Sequence, residues 1–332
     1  MPRPPRYFPE AAAQFEAVAS RVRRAAKVSV VAHIKPDADA IGSACALAAG
    51  LRKLGTDAQV YIGQPLPHSS NMRTIPGVDE ILYDQPLPAN GLVVTVDCAS
   101  ADRTGSHMPA ILSDPSRVVV IDHHNTNPGF GGMNLIVESE STTVLVRELL
   151  GYLGAELDPD IAYGLYAGLV TDTGSFRWGT PRMHELAAEL MQFGLNTRQI
   201  AMDLMDTMGP VDLQLMGAVL SKTQIVPTKG FSLAVLTIPV GIHSRMSQTA
   251  VEAIIDYARS LEGTDVGVVL KEQAPKFWAM SLRSTVVDVS AVAQRLGGGG
   301  HRAAAGYSAA GSRDAIIREL IDAFPEHPSA HD

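Results

Sequence analysis

Three short apolar runs, each followed at once by a carboxylate or imidazole residue, constrain this chain more than any other feature. They are VSVVA at 28–32, followed by His33; LVVTV at 92–96, followed by Asp97; and RVVVI at 117–121, followed by Asp122, His123 and His124. Unbroken apolar runs of this length mark strands buried on both faces, which is the habit of a parallel sheet covered by helices. Helical patterns at 40–54, 141–152 and 158–169, and a further strand at 57–62, fill the intervals. The alternation predicts an α/β domain with a doubly wound, mostly parallel sheet. In such sheets ligands bind at the carboxyl ends of the strands, where these polar residues lie.

The pattern changes in the second half. A mostly helical stretch over 181–222 carries no evident chemistry and reads as a connector. After it, QIVPTKGFSLAVLTI predicts a hairpin about Lys229-Gly230, and a helix is expected at 248–261. Two strands follow in VGVVLKE and KFWAMSLRS, then helices at 288–296 and 312–323. The expected organisation is a first domain at 1–185, a helical linker at 186–222 and a smaller mixed α+β domain at 223–332, with the active site in the cleft between the two domains. Both ends are Pro-rich or polar and read as loose tails.

A single Asp at a strand end is ordinarily a helix cap. The combination is harder to explain that way. His33, Asp37 and Asp39 follow the first strand, and Pro36 keeps that segment extended. Asp97 ends the second run, and burying it bare would be costly. His123 follows the third, with Asp122 placed to hold an imidazole in position. Asp172 follows an apolar helix in YAGLVTDTG. The set is His33, Asp37, Asp39, Asp97, His123 and Asp172: four carboxylates, two imidazoles and no thiolate. It suits Mn²⁺ better than a cysteine-held Zn²⁺. Six ligands are too many for one catalytic ion with open positions. They suit two ions about 3.5–4 Å apart, with Asp97 as the bridge.

Composition narrows the partners. The net charge of −8, from 27 basic and 35 acidic residues, argues against a long-duplex DNA binder. An aromatic content of 5% argues against broad stacking surfaces for long single strands. Two cysteines, Cys45 and Cys98, fit a reduced, cytoplasmic protein. Neither a spanning helix nor an apolar signal core is visible, so no membrane partner or secretion is expected. No G-x-G-x-x-G follows the first strand, so dinucleotide binding has no fingerprint.

Taken together, the motifs resemble those of the DHH phosphoesterase family, named for the triplet seen here as Asp122-His123-His124. The second domain resembles the DHH-associated C-terminal domain, marked here by Gly297, Gly298, Gly299, Gly300 and His301, with Arg302 next. The two-domain length is similar to the bifunctional oligoribonuclease/PAP phosphatase group. The resemblance implies that His33, Asp37 and Asp97 hold one Mn²⁺ and that Asp39, Asp97, His123 and Asp172 hold the other, with Mg²⁺ or Co²⁺ as alternatives. It implies His124 as the catalytic group facing the substrate phosphate, beside Asp97 and Asp122. Expected substrates are short oligoribonucleotides (nanoRNA), pAp, pApA and cyclic di-AMP, hydrolysed by metal-activated water; a homodimer is also expected.

The glycine run can form a backbone nest for an anion. Gly298, Gly299, Gly300, His301 and Arg302 are therefore candidate substrate contacts, as are Arg283, Ser284 and Arg103. The competing expectation is an inorganic pyrophosphatase or exopolyphosphatase of the same superfamily. A pyrophosphate pocket needs a dense Lys/Arg cluster, whereas GGGGHRAAAG leaves room for a flat base.

Overall fold

The computed structural model describes residues 7–228 and 230–324, and the chain divides into two compact units between Thr207 and Met208.

The first unit runs α1 (Ala12–Arg23), β1 (Lys27–Ala32), α2 (Ala38–Lys53), β2 (Asp57–Ile62), β3 (Leu82–Tyr83), β4 (Leu92–Val96), α3 (Met108–Ser113), β5 (Val118–Asp122), β6 (Met133–Ile136), α4 (Thr142–Leu153), α5 (Pro159–Asp172), α6 (Pro181–Met191) and α7 (Thr197–Ala201). Its sheet has the order β3-β2-β1-β4-β5-β6, and every pairing is parallel. The order reverses between β1 and β4. The strand ends that carry His33 and Asp97 therefore flank the switch point, where a doubly wound sheet opens a crevice.

The apolar runs look continuous because they feed two cores. Val28, Val30, Leu92, Val94, Val119 and Ile121 face one core, with α1, α2, α4 and α5 over it. Val31, Val93, Val118 and Val120 point the other way, onto Tyr61 and Ile111 of α3. Successive strand residues alternate faces, so a parallel strand covered on both sides is apolar at every position.

Three features differ from the sequence reading. β3 and β6 were not anticipated: they are short and half exposed, and carry no apolar run. The amino-terminal segment is not a loose tail from Tyr7 onward. Phe8 and Phe15 are fully buried, and Phe15, Val18, Ala19 and Val22 form one apolar stripe of α1. The Tyr7 amide donates to Glu148 and its hydroxyl to Glu189, which ties this segment to α4 and α6. At the other end Phe324 is buried behind the last helix.

The second unit runs α8 (Pro210–Leu220), β7 (Gln224–Pro227), β8 (Ser232–Ile238), α9 (Val240–His243), α10 (Gln248–Arg259), β9 (Val266–Ala274), β10 (Phe277–Arg283), α11 (Val289–Arg295), β11 (Gly299–His301), β12 (Ala304–Ala310) and α12 (Arg313–Ala323). The sheet order is β11-β12-β10-β9-β8-β7, antiparallel except for the parallel β8–β9 pair. This is the mixed α+β unit expected. Lys229 of the predicted β7–β8 turn lies outside the described residues; the Thr228 amide donates to the Phe231 carbonyl at 2.8 Å beside it.

Both cysteines are free and buried. Among the described residues no helix is long and apolar enough to cross a membrane.

Candidate metal centre

The six residues singled out by motif stand at the ends of five elements of the first unit, β1, α2, β4, β5 and α5, and the fold gathers them. Among the described residues of the first unit alone, three groups form, each with one atom per residue mutually within 4.8 Å: His33, Asp37 and Asp97; Asp39, His123 and Asp172; and Asp97, Asp122 and His124.

Asp97 joins the groups. Its Oδ2 lies 3.4 Å from His33 Nε2, and its Oδ1 lies 3.5 Å from His123 Nε2. Its backbone sits in the left-handed region at φ 57°, directly after β4, and its amide is held by the Ile121 carbonyl at 3.1 Å. Such a conformation at a non-glycine residue is characteristic of functional sites. Asp37 caps α2, accepting from the Ala40 amide at 3.0 Å, and its second oxygen lies 3.6 Å from His33 Nε2. The cap and the cluster are thus both served by one carboxylate.

Asp39 is fully buried. The amides of Thr142 and Thr143, at the start of α4, donate to its two oxygens at 2.6 and 2.9 Å. The Thr142 hydroxyl donates to Asp97 Oδ1 at 2.9 Å. Thr142 therefore orients two cluster carboxylates at once. The Ser-Thr-Thr run at a helix start is a capping signature, and it was the available clue to this role. Gly168 of α5 supplies the clearance: a Cβ there would lie 2.6 Å from Asp39 Oδ1. Asp172 ends α5, with Oδ2 3.4 Å from His123 Nε2.

The ring of His123 is fixed through Nδ1, 3.1 Å from the Ser139 carbonyl, so that Nε2 faces Asp39, Asp97 and Asp172. His124 Nδ1 lies 2.9 Å from Asp122 Oδ1, and Asn127 donates to the other Asp122 oxygen at 2.6 Å. Asp122 thus orients His124 through Nδ1.

The electrostatics show what the cluster lacks. Burial, reinforced by the charge of Asp97, pushes the Asp39 carboxyl up to about 7. Desolvation and the Asp39 charge raise Asp172 well above the carboxylate range. For Asp97 burial acts in the same direction, but His123 and His33 outweigh it and hold it well below that range. Burial and Arg103 oppose the charged form of His33, yet Asp37 and Asp97 lift it to about 10. Buried carboxylates this close together demand compensating positive charge. Oxygen and imidazole donors in this number fit divalent cations.

The remaining predicted residues are Arg103 in the first unit and a set in the second unit. Arg103 Nη2 is 2.9 Å from His33 Nδ1, which places it beside the cluster. Arg283 ends β10, opposite Ala304. The Ser284 hydroxyl is engaged by the fold: it donates to the Asp265 carbonyl at 2.7 Å and accepts from the Val286 and Val287 amides. The glycine run is not a linker, since Gly299, Gly300 and His301 form β11 against β12. A Cβ at Gly298 would lie 2.1 Å from the Gly306 carbonyl, and one at Gly300 would lie 2.5 Å from that of Ala304. Close packing of β11 on β12 accounts for both glycines. Arg302 is exposed at the turn between them.

The doubly wound sheet and its clustered His and Asp side chains define a hydrolase of the metal-dependent phosphoesterase class. Residues 27–169 match the DHH family N-terminal domain and residues 230–326 match the DHHA1 domain. The chain is 31% identical over 310 residues to the bifunctional oligoribonuclease and PAP phosphatase of Thermus thermophilus, covering 90% of this chain and 89% of the relative. It is 26% identical to the protein of the same description from Bacillus subtilis, covering 89% and 94% respectively. Its fold is shared with an exopolyphosphatase-related protein from Bacteroides fragilis, at a TM-score of 0.80 and 22% identity over 94% of this chain and 96% of that one. The chain belongs to the DHH family.

Proposed function

We propose that this protein is a manganese-dependent phosphoesterase that hydrolyses short oligoribonucleotides, converts pAp to AMP, and cleaves pApA or cyclic di-AMP. The observation that carries this reading is Asp97, whose two oxygens face separate ligand groups at 3.4 and 3.5 Å. A carboxylate so placed could serve two ions at once. His33, Asp37 and Asp97 would hold one ion, and Asp39, Asp97, His123 and Asp172 the other. When bound, such a pair supplies an activated water and positive charge for the phosphoryl oxygens.

The protein's own groups do the rest. Thr142 and the α4 amides fix the directions of Asp97 and Asp39. His124, oriented by Asp122, presents its other nitrogen to protonate the departing oxygen. Water is the nucleophile, so no covalent enzyme intermediate is required. Arg103 beside the cluster, and Arg283, His301 and Arg302 of the second unit, are assigned to the substrate's anionic groups. The backbone of Gly298, Gly299 and Gly300 is assigned the same role. The names of the Thermus and Bacillus relatives support oligoribonucleotides and pAp over inorganic pyrophosphate.

The test is a substrate panel with Mn²⁺, Mg²⁺ or Co²⁺, offering pAp, pApA, cyclic di-AMP, labelled RNA of increasing length, and pyrophosphate. AMP release from pAp and pApA is expected, with loss of turnover in Asp97→Asn. Pyrophosphate as the sole good substrate would overturn the proposal, as would undiminished turnover in the variant.

A further inference from the structure

The chain has two tryptophans, and they are used differently. Trp278 is 6% exposed in a core of the second unit, whereas Trp178 is 40% exposed. Its indole N–H donates to the backbone carbonyl of Asp172 at 2.7 Å. Trp178, the one exposed large aromatic residue of the first unit among the described residues, is therefore one hydrogen bond from a cluster residue.

The loop between them is built to put it there. Gly174, Ser175 and Phe176 are successive left-handed residues, at φ 54°, 61° and 63°. The turn they make is closed by the amides of Ser175, on Val170, and of Arg177 and Trp178, on Thr173. Phe176 anchors it inward, stacked on His184 with centroids 5.5 Å apart and edge-on to Tyr166 at 6.1 Å. Trp178 then lies back over Gly174, where a Cβ would come within 2.3 Å of the indole ring. Two consecutive non-glycine residues in this conformation are costly and persist where the surroundings enforce them. Here they hold a flat, hydrogen-bonded ring still beside the cluster.

We propose that Trp178 is the stacking platform for the nucleobase next to the phosphate being hydrolysed. This rests on the nucleotide reading given above. An indole offers any base a π-face, so the contact is tolerant of sequence. It suits short RNA of mixed composition and adds affinity without selecting one base. A ring fixed before the substrate arrives loses little freedom on binding.

The test is a cycle between the side chain and the base. Wild type, Trp178→Ala and Trp178→Phe are assayed on pApA and on an analogue lacking the base beside the scissile phosphate. Trp178→Ala is expected to raise KM for pApA roughly 5- to 150-fold with kcat much less affected. Trp178→Phe recovers most of the loss, and on the abasic analogue the three proteins are equal. A loss of the same size on both substrates would mean that Trp178 acts only by positioning Asp172, and would overturn the proposal.

A second readout does not depend on turnover. AMP titrated into the wild type is expected to quench tryptophan emission. In Trp178→Phe, which retains only the buried Trp278, the quenching disappears; quenching that survives there refutes the platform. Wild type that cleaves no nucleotide at all defeats the nucleotide reading instead, and leaves the AMP titration to decide on the stacking face.

Discussion

Gly168→Ala adds one methyl group and is expected to damage both stability and the site. The new Cβ would stand 2.5 Å from Thr143 Cγ2, 2.6 Å from Asp39 Oδ1 and 2.9 Å from Asp39 Cα. The threonine methyl can rotate away. The Asp39 carboxylate cannot, because the Thr142 and Thr143 amides hold both of its oxygens. Overpacking of this kind costs about 1–3 kcal/mol, while alanine in a helix interior returns about 0.8–1 kcal/mol. The net expectation is a loss of up to about 2 kcal/mol, or a fall of up to about 8 °C in the melting temperature of the first unit. Pushing Asp39 off its place is also expected to weaken Mn²⁺ binding by about 10- to 100-fold. Gly217→Ala is the matched control. Gly217 lies in α8 with nothing within 4 Å of its added Cβ, and about 0.5–1 kcal/mol of stabilisation is expected. Calorimetry with and without Mn²⁺, together with titration calorimetry of Mn²⁺, measures both effects. A Gly168→Ala protein that melts and binds metal like the wild type would refute the steric reasoning.

Thr142→Val keeps the shape and removes the hydroxyl bonded to Asp97. Metal affinity is expected to fall about tenfold, with at most about 1.5 kcal/mol lost in stability, as read by Mn²⁺ titration and denaturant melts. His107 is buried, edge-on to Tyr61, and burial lowers its pKa even though Asp84 acts in the other direction. A depressed imidazole contributes stability that is present above its unfolded pKa of about 6.5 and is lost as pH falls through its folded value. Denaturant midpoints should therefore drop on acidification from that point, and the drop should be smaller in His107→Gln. Burial pushes the Cys45 thiol up to about 12 and Cys98 well above its ordinary value. Iodoacetamide at pH 8 should leave both unmodified in the folded protein and label both in guanidinium, as counted by mass spectrometry.

The strands, their parallel pairing and all six cluster residues were legible because buried parallel strands and ligand sets both leave short, dense patterns in a chain. What surrounds the cluster was not. Thr142 and Gly168 act across 103 and 129 residues of sequence from Asp39, and nothing local to Asp39 points to either. The edge strands β3 and β6 carry too little apolar surface to stand out. The amino-terminal helix hid behind its Pro-rich approach, although the spacing of Phe15, Val18, Ala19 and Val22 was there to find. The fold roles of Ser284, Gly298 and Gly300 were not legible, because a residue suited to bind an anion is equally suited to close a turn or pack two strands.

The cluster residues are drawn from positions 33 to 172, one or more from an end of each of five elements. No shorter stretch of the emerging polypeptide holds them all. Parallel pairing of distant segments is also slow to form. During synthesis, therefore, the ions have no finished seat until the far end of α5 has left the ribosome and docked. A divalent cation can therefore find its full set of ligands only late in the folding of this unit, once α5 is in place.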